Sequence, residues 1–221
     1  MYIVKSWAKI IDLVHWGSSV RVVVAVEDRN FSWVAGQWID FAVQLNNERK
    51  VAGYSICSPT GTGGPIELLV RESSHPVSQW LHHLAKVGDR VLIQGGSGTC
   101  VYHPKENDKV VLIAGGIGIT PVISMIRTAA LTAFPLQMHL FYSSTHRQDI
   151  HFHQELQALD ERFVVDIRCT GEGDSRFTAE EIIARCGTTA RFYIMGPKAM
   201  MDAFSNDLRE RSISLHLERW W

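Results

Sequence analysis

The sequence contains few cysteines, and their spacing indicates neither a metal centre nor a disulfide framework. Its 221 residues include four cysteines, which lie far apart at Cys57, Cys100, Cys169 and Cys186. They form no Cys-x-x-Cys pair and no iron–sulfur spacing. We therefore expect free thiols in a reducing compartment. The ten histidines also lack a matching set of ligands at a defined spacing, so we expect no metal site.

Long apolar segments and a strong net charge are missing as well. No apolar run approaches the roughly 18 residues of a membrane-spanning helix, and the formal net charge is −1. These properties predict no membrane span and no nucleic-acid partner. The N-terminus has neither the apolar core of a signal peptide nor the arginine-rich composition of a transit peptide. We expect a cytoplasmic protein, with an organelle as the alternative if the chain has been trimmed.

The apolar pattern divides the chain into two halves. Short β-branched or alternating segments separated by glycine- or asparagine-rich turns predict strands in the first half, at 4–11, 20–27, 38–43, 66–70 and 90–94, with one helix at 77–85. The second half alternates predicted strands at 110–114, 137–142, 163–168 and 191–195 with predicted helices at 121–133, 149–159, 178–185 and 198–211. We predict an N-terminal antiparallel β-barrel, residues 1–104, and a C-terminal α/β domain with a parallel sheet, residues 105–221.

The most informative segment is Lys109 to Pro121, Lys-Val-Val-Leu-Ile-Ala-Gly-Gly-Ile-Gly-Ile-Thr-Pro. A buried strand runs into three glycines and then into a helix that Pro121 suits in its first turn. This geometry presents backbone N–H groups and the positive end of a helix dipole to a phosphate. The spacing differs from the dinucleotide fingerprint G-x-G-x-x-G. An ordinary tight βα turn is the alternative interpretation.

A second turn of the same kind follows the strand Phe192 to Met195. Gly196 and Pro197 break this strand before an apolar helical pattern begins. Parallel strands all end at one edge of a sheet, where ligands of open α/β sheets bind. We therefore expect both turns to lie at that edge.

These motifs resemble the ferredoxin–NADP reductase family. Gly-Gly-Ile-Gly-Ile-Thr-Pro and the later Gly-Pro-x-x-Met are similar to its pyridine-nucleotide domain, and Ala52 to Ser58 resembles its flavin motif Arg-x-Tyr-Ser-x-x-Ser. His75 to Ser78 and Val87 to Val91 resemble its second flavin segment and the glycine turn that follows it. The resemblance implies that the barrel is of the flavin-binding type and that the α/β domain binds nucleotide. It covers most of the chain, with the motifs in family order.

On the flavin side, the resemblance implies contacts from both flavin segments. Tyr54 offers a flat face or a ribityl contact, and Ser55 a hydroxyl near flavin N5, which makes Ser55 a candidate catalytic residue. The remaining predicted flavin ligands are Val70, Arg71, Pro76, Val77 and Ser78. A core Tyr54, and a Ser78 that only caps a helix, are the alternatives. Ala52 replaces the family's arginine, which predicts weaker flavin binding and leaves both FAD and FMN open.

On the nucleotide side, the resemblance implies that the first glycine turn holds the pyrophosphate. The predicted ligands are Gly115, Gly116, Ile117, Gly118, Ile119, Thr120 and Pro121, with Gly196 and Pro197 at the nicotinamide half. Met195 stands where the family usually has cysteine. Ser144 and Arg147 follow the next strand and are the candidates for choosing between NADH and NADPH, with NADH slightly favoured.

The chain ends in Trp220 and Trp221, two large aromatics at a free end. The resemblance implies that a terminal aromatic lies against the flavin ring, so both are predicted cofactor contacts and Trp221 a candidate catalytic residue. Packing between domains is the alternative. One subgroup of the family is most similar to this sequence at Gly53 to Ser58 and at Glu218 to Trp221. This similarity says more about the fold of the protein than about the identity of its substrate.

Together these features predict a flavin-dependent oxidoreductase that transfers a hydride between NAD(P)H and bound FAD or FMN. Because the sequence carries no iron–sulfur spacing, the electrons would pass to a separate acceptor protein or to a small acceptor. A catalytically weakened relative that serves as a nucleotide-binding regulatory or interaction subunit is the alternative. The missing arginine and cysteine are the evidence for that alternative.

Overall fold

The computed structural model describes residues 4–217, which divide into two compact units. The first unit comprises the described residues up to His103 together with Ile123–Thr128, and the second comprises Pro104–Val122 and the described residues from Ala129 onward. Within residues 4–217, no helix is both long and apolar enough to span a membrane. The predicted contacts at Trp220 and Trp221 lie outside the described residues.

The first unit is an antiparallel sheet with one helix of its own. Its strands are β1 Val4–Trp16, β2 Ser19–Val26, β3 Ser32–Trp33, β4 Trp38–Leu45, β5 Glu48–Ser55, β6 Gly61–Thr62, β7 Pro65–Arg71 and β8 Arg90–Ser97, and the helix is α1 Pro76–His83. Six of them form one sheet in the order β5-β4-β8-β1-β2-β7. The segment after β5 then bridges back to β7 through Ile56 and Leu68, so the two ends of the sheet meet. The core inside includes Phe31, Phe41 and Leu68.

The second unit is a five-stranded parallel sheet wrapped by helices. Its elements are β9 Asp108–Gly115, the two ends of α2 Ile119–Ala130, β10 Leu136–Ser144, α3 His153–Gln157, β11 Phe163–Cys169, α4 Ala179–Cys186, β12 Arg191–Met195, α5 Lys198–Glu210 and β13 Leu215–Leu217. The middle of α2, Ile123–Thr128, belongs to the first unit. The strand order is β11-β10-β9-β12-β13. The central strand β9 is buried from Val110 to Gly115, as a strand covered on both faces requires. The predicted fold class, an antiparallel barrel followed by a parallel α/β sheet, is confirmed.

Several predicted boundaries are wrong. The helix expected at 149–159 is only His153–Gln157, because Phe152 takes a left-handed backbone conformation (φ 60°) that interrupts it. The helix after the first glycine turn begins two residues earlier than predicted, at Ile119, and ends three earlier, at Ala130. β13 was not predicted, since its three residues carry too short an apolar pattern to be recognised.

Candidate cofactor sites

The two glycine turns of the second unit lie side by side. β9 ends at Gly115, and a 3-10 turn over Gly116–Gly118 leads into α2. β12 ends at Met195, and Gly196 and Pro197 lead into α5. The two strands are parallel neighbours in which Ala114 pairs with Met195. Both turns therefore leave the same edge of the sheet at the same level.

Three of these glycines allow the turns to pack against each other. A Cβ on Gly118 would lie 2.4 Å from the Met195 carbonyl oxygen, and one on Gly115 would lie 2.9 Å from Pro197 Cδ. A Cβ on Gly196 would lie 3.0 Å from the Gly115 nitrogen. Any larger residue would force the two turns apart. These glycines are thus required for packing, whatever the turns bind.

Gly116 differs from its neighbours because its α-carbon faces open space. Its φ is +52°, and a Cβ built there meets no atom within 4 Å. The turn then enters α2, which has no acidic residue in its first turn, and Thr120 Oγ1 donates to the Ile117 carbonyl at 2.9 Å. An open backbone at the positive end of a helix dipole fits a pyrophosphate. The residues here therefore fit the nucleotide that the resemblance implies.

An acidic residue that the sequence analysis did not single out, Glu172, lies beside the segment that follows β10. Ser144 is 4% exposed, and its carbonyl accepts from the Thr170 N–H at 2.9 Å. Arg147 is exposed, and its backbone N–H donates to Glu172 Oε1 at 2.7 Å. Its Nε lies 3.8 Å from Glu172 Oε2. Glu172 comes from the loop after the neighbouring strand β11, so no local pattern connects it with Arg147.

Tyr54 and Ser55 end β5 in the first unit. The Tyr54 hydroxyl is buried and has no hydrogen-bond partner among the described residues, and burial raises the pKa of this hydroxyl. The ring makes an edge contact with Phe41, with centroids 6.0 Å apart. Ser55 is 6% exposed. A buried hydroxyl without a partner is costly, so a ligand that bonds to it, such as the flavin the resemblance implies, fits this position.

No arginine stands at the start of this motif. Ala52 pairs with Phe41 on β4 and packs against the core of the first unit. Lys50, two residues earlier on the same strand face, forms an exposed ion pair with Glu48. The cation nearest in sequence on that face is therefore already paired. This face of β5, which carries Lys50, Ala52 and Tyr54, has no arginine that could make a bidentate guanidinium contact to phosphate.

The loop between β7 and α1 is held together by its own side chains. Ser78 is 1% exposed, and its hydroxyl donates to the Arg71 carbonyl at 3.2 Å and accepts from the Ser73 N–H at 3.0 Å. His75 Nδ1 accepts from the Val77 N–H at 3.2 Å and caps the helix. The alternative in which Ser78 is the cap is therefore wrong. The Ser78 hydroxyl instead fixes the loop that follows Arg71, and the Arg71 side chain is exposed.

Two further residues predicted to contact the flavin, Val70 and Pro76, flank the loop between β7 and α1. Val70 is buried, and its carbonyl accepts from His82 Nε2 at 3.0 Å. Pro76 opens α1, where it needs no N–H partner. Val70 and Pro76 therefore shape the backbone at this end of β7.

Three side chains of α2 hold the segment that follows Ser55, within the first unit. Ser124 Oγ donates to the Ser58 carbonyl at 2.6 Å, and Arg127 Nη1 donates to the Cys57 carbonyl at 3.0 Å. Thr128 Oγ1 accepts from the Thr60 N–H at 2.9 Å. The sequence analysis missed these residues, because polar side chains on a helix usually indicate a solvated face.

Comparison with known proteins agrees with this architecture. A family model described as an oxidoreductase FAD-binding domain matches residues 11–102, and one described as an oxidoreductase NAD-binding domain matches residues 112–206. Oxidoreductase NAD-binding domain-containing protein 1 of Bos taurus is 30% identical over 254 residues, which cover 99% of this chain and 81% of the relative. The chain belongs to this protein's family. The resemblance of Gly53 to Ser58 and of the terminal residues predicted this subgroup, and the prediction is confirmed.

Solved structures show the same fold. The ferredoxin reductase in carbazole 1,9a-dioxygenase has a TM-score of 0.80 at 21% identity, covering 100% of this chain and 70% of that one. The cytochrome b5 reductase domain of Ulva prolifera nitrate reductase has a TM-score of 0.77 at 18% identity, covering 95% of this chain and 94% of that one. The protein therefore has the ferredoxin-reductase-like fold, with an FAD-binding and an NAD-binding domain.

Substitutions in the glycine turn separate binding from packing. Gly116→Ala adds a methyl group where the protein has open space, so we expect the free energy of unfolding to fall by only about 1 kcal/mol, from the positive φ. NADH affinity should fall at least about 10-fold, measured by titration calorimetry, if phosphate approaches this backbone. Gly118→Ala is the matched control: its Cβ meets the Met195 carbonyl, so it should lower stability by about 1–3 kcal/mol. Unchanged NADH affinity in folded Gly116→Ala would make the turn purely structural.

The Tyr54 hydroxyl gives a second prediction, in which stability and affinity move in opposite directions. Tyr54→Phe removes a buried hydroxyl without a partner, so the free energy of unfolding of the flavin-free protein should rise by about 1 kcal/mol. FAD affinity should fall roughly 5- to 10-fold, measured by equilibrium dialysis. Tyr142→Phe is the control, since the Tyr142 hydroxyl accepts from the His151 N–H at 3.4 Å. FAD affinity that stays constant in Tyr54→Phe would exclude this hydroxyl from the site.

Proposed function

We propose that this protein is a flavin-dependent oxidoreductase that takes a hydride from NAD(P)H and passes the electrons to a separate acceptor. The observation that carries the proposal is the open backbone at Gly116, set where the two glycine turns pack together. The FAD-binding and NAD-binding family models support it. When bound, the flavin supplies the hydride-accepting ring, and the protein supplies binding and orientation.

On the nucleotide side, the backbone N–H groups of Gly115 to Pro121 bind the pyrophosphate in this proposal. Gly196 and Pro197 hold the nicotinamide half of the nucleotide. Met195 is fully buried and presents its carbonyl to Gly118, so it shapes the turn and offers no thiol there. The adenosine ribose lies toward Ser144 and Arg147, as ligands at the carboxyl edge of a parallel sheet do.

On the flavin side, the proposed contacts are the Tyr54 ring and hydroxyl, the Ser55 hydroxyl, and the backbone from Val70 to Arg71 and from Pro76 to Ser78. Because the Val77 N–H and the Ser78 hydroxyl already bond within the loop, Arg71 becomes the principal candidate for phosphate contact. Its side chain provides the planar fork that Ala52 lacks. Trp220 and Trp221 stay a prediction for the face of the flavin ring.

The acceptor is proposed to be a separate protein or a small molecule. A similar fold is found in the ferredoxin reductase in carbazole 1,9a-dioxygenase. No cysteine spacing in this sequence indicates an iron–sulfur cluster. An electron carrier outside this chain would therefore complete the reaction.

The direct test combines flavin binding with turnover. The purified protein is dialysed against FAD and, separately, FMN, and NADH oxidation is then followed with an artificial acceptor. We expect saturable flavin binding and NADH oxidation that depends on added flavin. NADH binding without any saturable flavin binding would contradict the proposal and favour a nucleotide-binding subunit without turnover.

The arginine missing at position 52 yields a gain-of-function prediction. Ala52→Arg should increase FAD affinity at least about 10-fold, because a bidentate charge-assisted contact contributes roughly 1.5–3 kcal/mol. Ala52→Lys, which adds charge without a planar fork, should gain less. Equilibrium dialysis of both variants, with melting curves as a folding check, decides the outcome. Equal gains in the two variants would mean that charge alone limits binding.

Glu172 predicts the choice of nucleotide. Its carboxylate contacts the Arg147 N–H, so in the proposed site it would repel a 2′-phosphate and favour NADH. Glu172→Gln should raise the NADPH-to-NADH ratio of kcat/KM about 10-fold, whereas Glu180→Gln, at an exposed carboxylate in the first turn of α4, should leave it unchanged. A ratio that stays constant in Glu172→Gln would remove Glu172 from the specificity site.

A further inference from the structure

A cluster of reactive side chains lies in the second unit outside the glycine turns. It joins His139 of β10, Asp166 of β11 and Cys186, the last residue of α4. His139 precedes Ser144, at the carboxyl end of β10, by five residues, about 16 Å along the strand. The cluster is therefore separate from the candidate nucleotide site.

Hydrogen bonds order these three groups as nucleophile, base and orienting carboxylate. His139 Nε2 bonds to the Asp166 carboxylate, and His139 Nδ1 lies 3.3 Å from Cys186 Sγ. A carboxylate only accepts hydrogen bonds, so the proton of a neutral His139 ring lies on Nε2. Nδ1 is then an acceptor that faces the thiol. The same ordering defines activated cysteine nucleophiles on unrelated folds.

The base is held rigidly in this orientation. The His139 ring stacks on Phe141, with centroids 4.1 Å apart and planes at 16°. Arg185 Nη2 donates to Asp166 Oδ2 at 2.8 Å. Burial opposes ionisation of Asp166, but its hydrogen bonds to His139 and Arg185 hold the pKa of this carboxyl below its usual value. Asp166 is therefore charged at neutral pH and fixes the imidazole tautomer.

Cys186 is the thiol of this protein that reagents can reach. Cys57, Cys100 and Cys169 are buried, whereas Cys186 is partly exposed. It lines an open depression of about 280 Å³ together with His139, Lys109, Glu161, Arg162 and Arg185. Arg185 is paired with Asp166 and Arg162 with Asp160, so the charges around this depression are balanced and its openness admits small reagents of either charge.

The environment of the thiol makes the base necessary. Burial raises the pKa of Cys186, and the carboxyl end of a helix disfavours an added negative charge. The thiol is therefore protonated at rest, and its nucleophilic form arises as the proton moves to His139. A reaction at this site should consequently depend on His139 and not on the thiol alone.

We propose that Cys186 is a reactive site for thiol–disulfide exchange with small disulfides, with His139 as general base and Asp166 as its positioning residue. The thiol proton passes to His139 Nδ1, and Cys186 Sγ attacks one sulfur of the disulfide. A Cys186–sulfur bond forms as the disulfide bond breaks. The leaving thiolate takes the proton from His139, so Cys186 becomes a mixed disulfide and half of the reagent is reduced to a thiol.

The test uses the full chain and two disulfide reagents, dithiobis-nitrobenzoate, which is dianionic, and dithiodipyridine, which is neutral. We expect one thiol of the folded protein to react rapidly with both reagents. Mass spectrometry should place the adduct on Cys186. Cys186→Ser should abolish this phase, whereas Cys169→Ser, at a buried thiol, should retain it. A rapid phase that survives Cys186→Ser in folded protein would overturn the proposal.

The role of the base has its own measurement. His139→Gln should slow the reaction of Cys186 roughly 100-fold at neutral pH, and Asp166→Asn should slow it less. Both variants should approach the wild-type rate at a pH above the thiol's own pKa, where no base is needed. A merely structural role predicts a rate difference that persists at high pH. That result, or a wild-type rate in His139→Gln at neutral pH, would contradict the assignment.

Discussion

The contact between Gly118 and the Met195 carbonyl sets the geometry of the candidate nucleotide site. A Cβ at Gly118 would approach that oxygen to 2.4 Å, so the first turn can follow its path only without a side chain. A Cβ at Gly115 would likewise meet Pro197, and a Cβ at Gly196 would meet Gly115. With these three glycines used for packing, Gly116 is left facing open space. The site thus follows from how two neighbouring βα turns share one sheet edge.

In the first unit, polar side chains hold irregular backbone segments in place. Ser78 and His75 use their side chains to fix the loop before α1, and Ser124 and Arg127 hold the segment after Ser55. These polar groups are satisfied within the protein. The Tyr54 hydroxyl is buried without such a partner among the described residues. This contrast is why Tyr54 is included among the flavin contacts of the proposed function.

The sequence predicts features that depend on local pattern and misses those that depend on non-local pairing. The apolar run at Val110 to Ala114 and the glycines after it predict a buried strand and its turn. The contact between Glu172 and Arg147 arises because β10 and β11 are parallel neighbours, and no short motif records that pairing. The cluster of His139, Asp166 and Cys186 is hidden for the same reason. Ser78 shows the limit of local pattern as well: a helix cap was the alternative to its predicted phosphate contact, and His75 occupies the cap position instead.

The proposed function requires that one chain bind both cofactors productively. Anaerobic mixing of the FAD-loaded protein with NADH, followed by flavin absorbance in a single turnover, measures this property. We expect rapid loss of the oxidised-flavin absorbance, with a rate that saturates with NADH concentration. Flavin absorbance that stays constant while NADH binding is demonstrated on the same sample would contradict it.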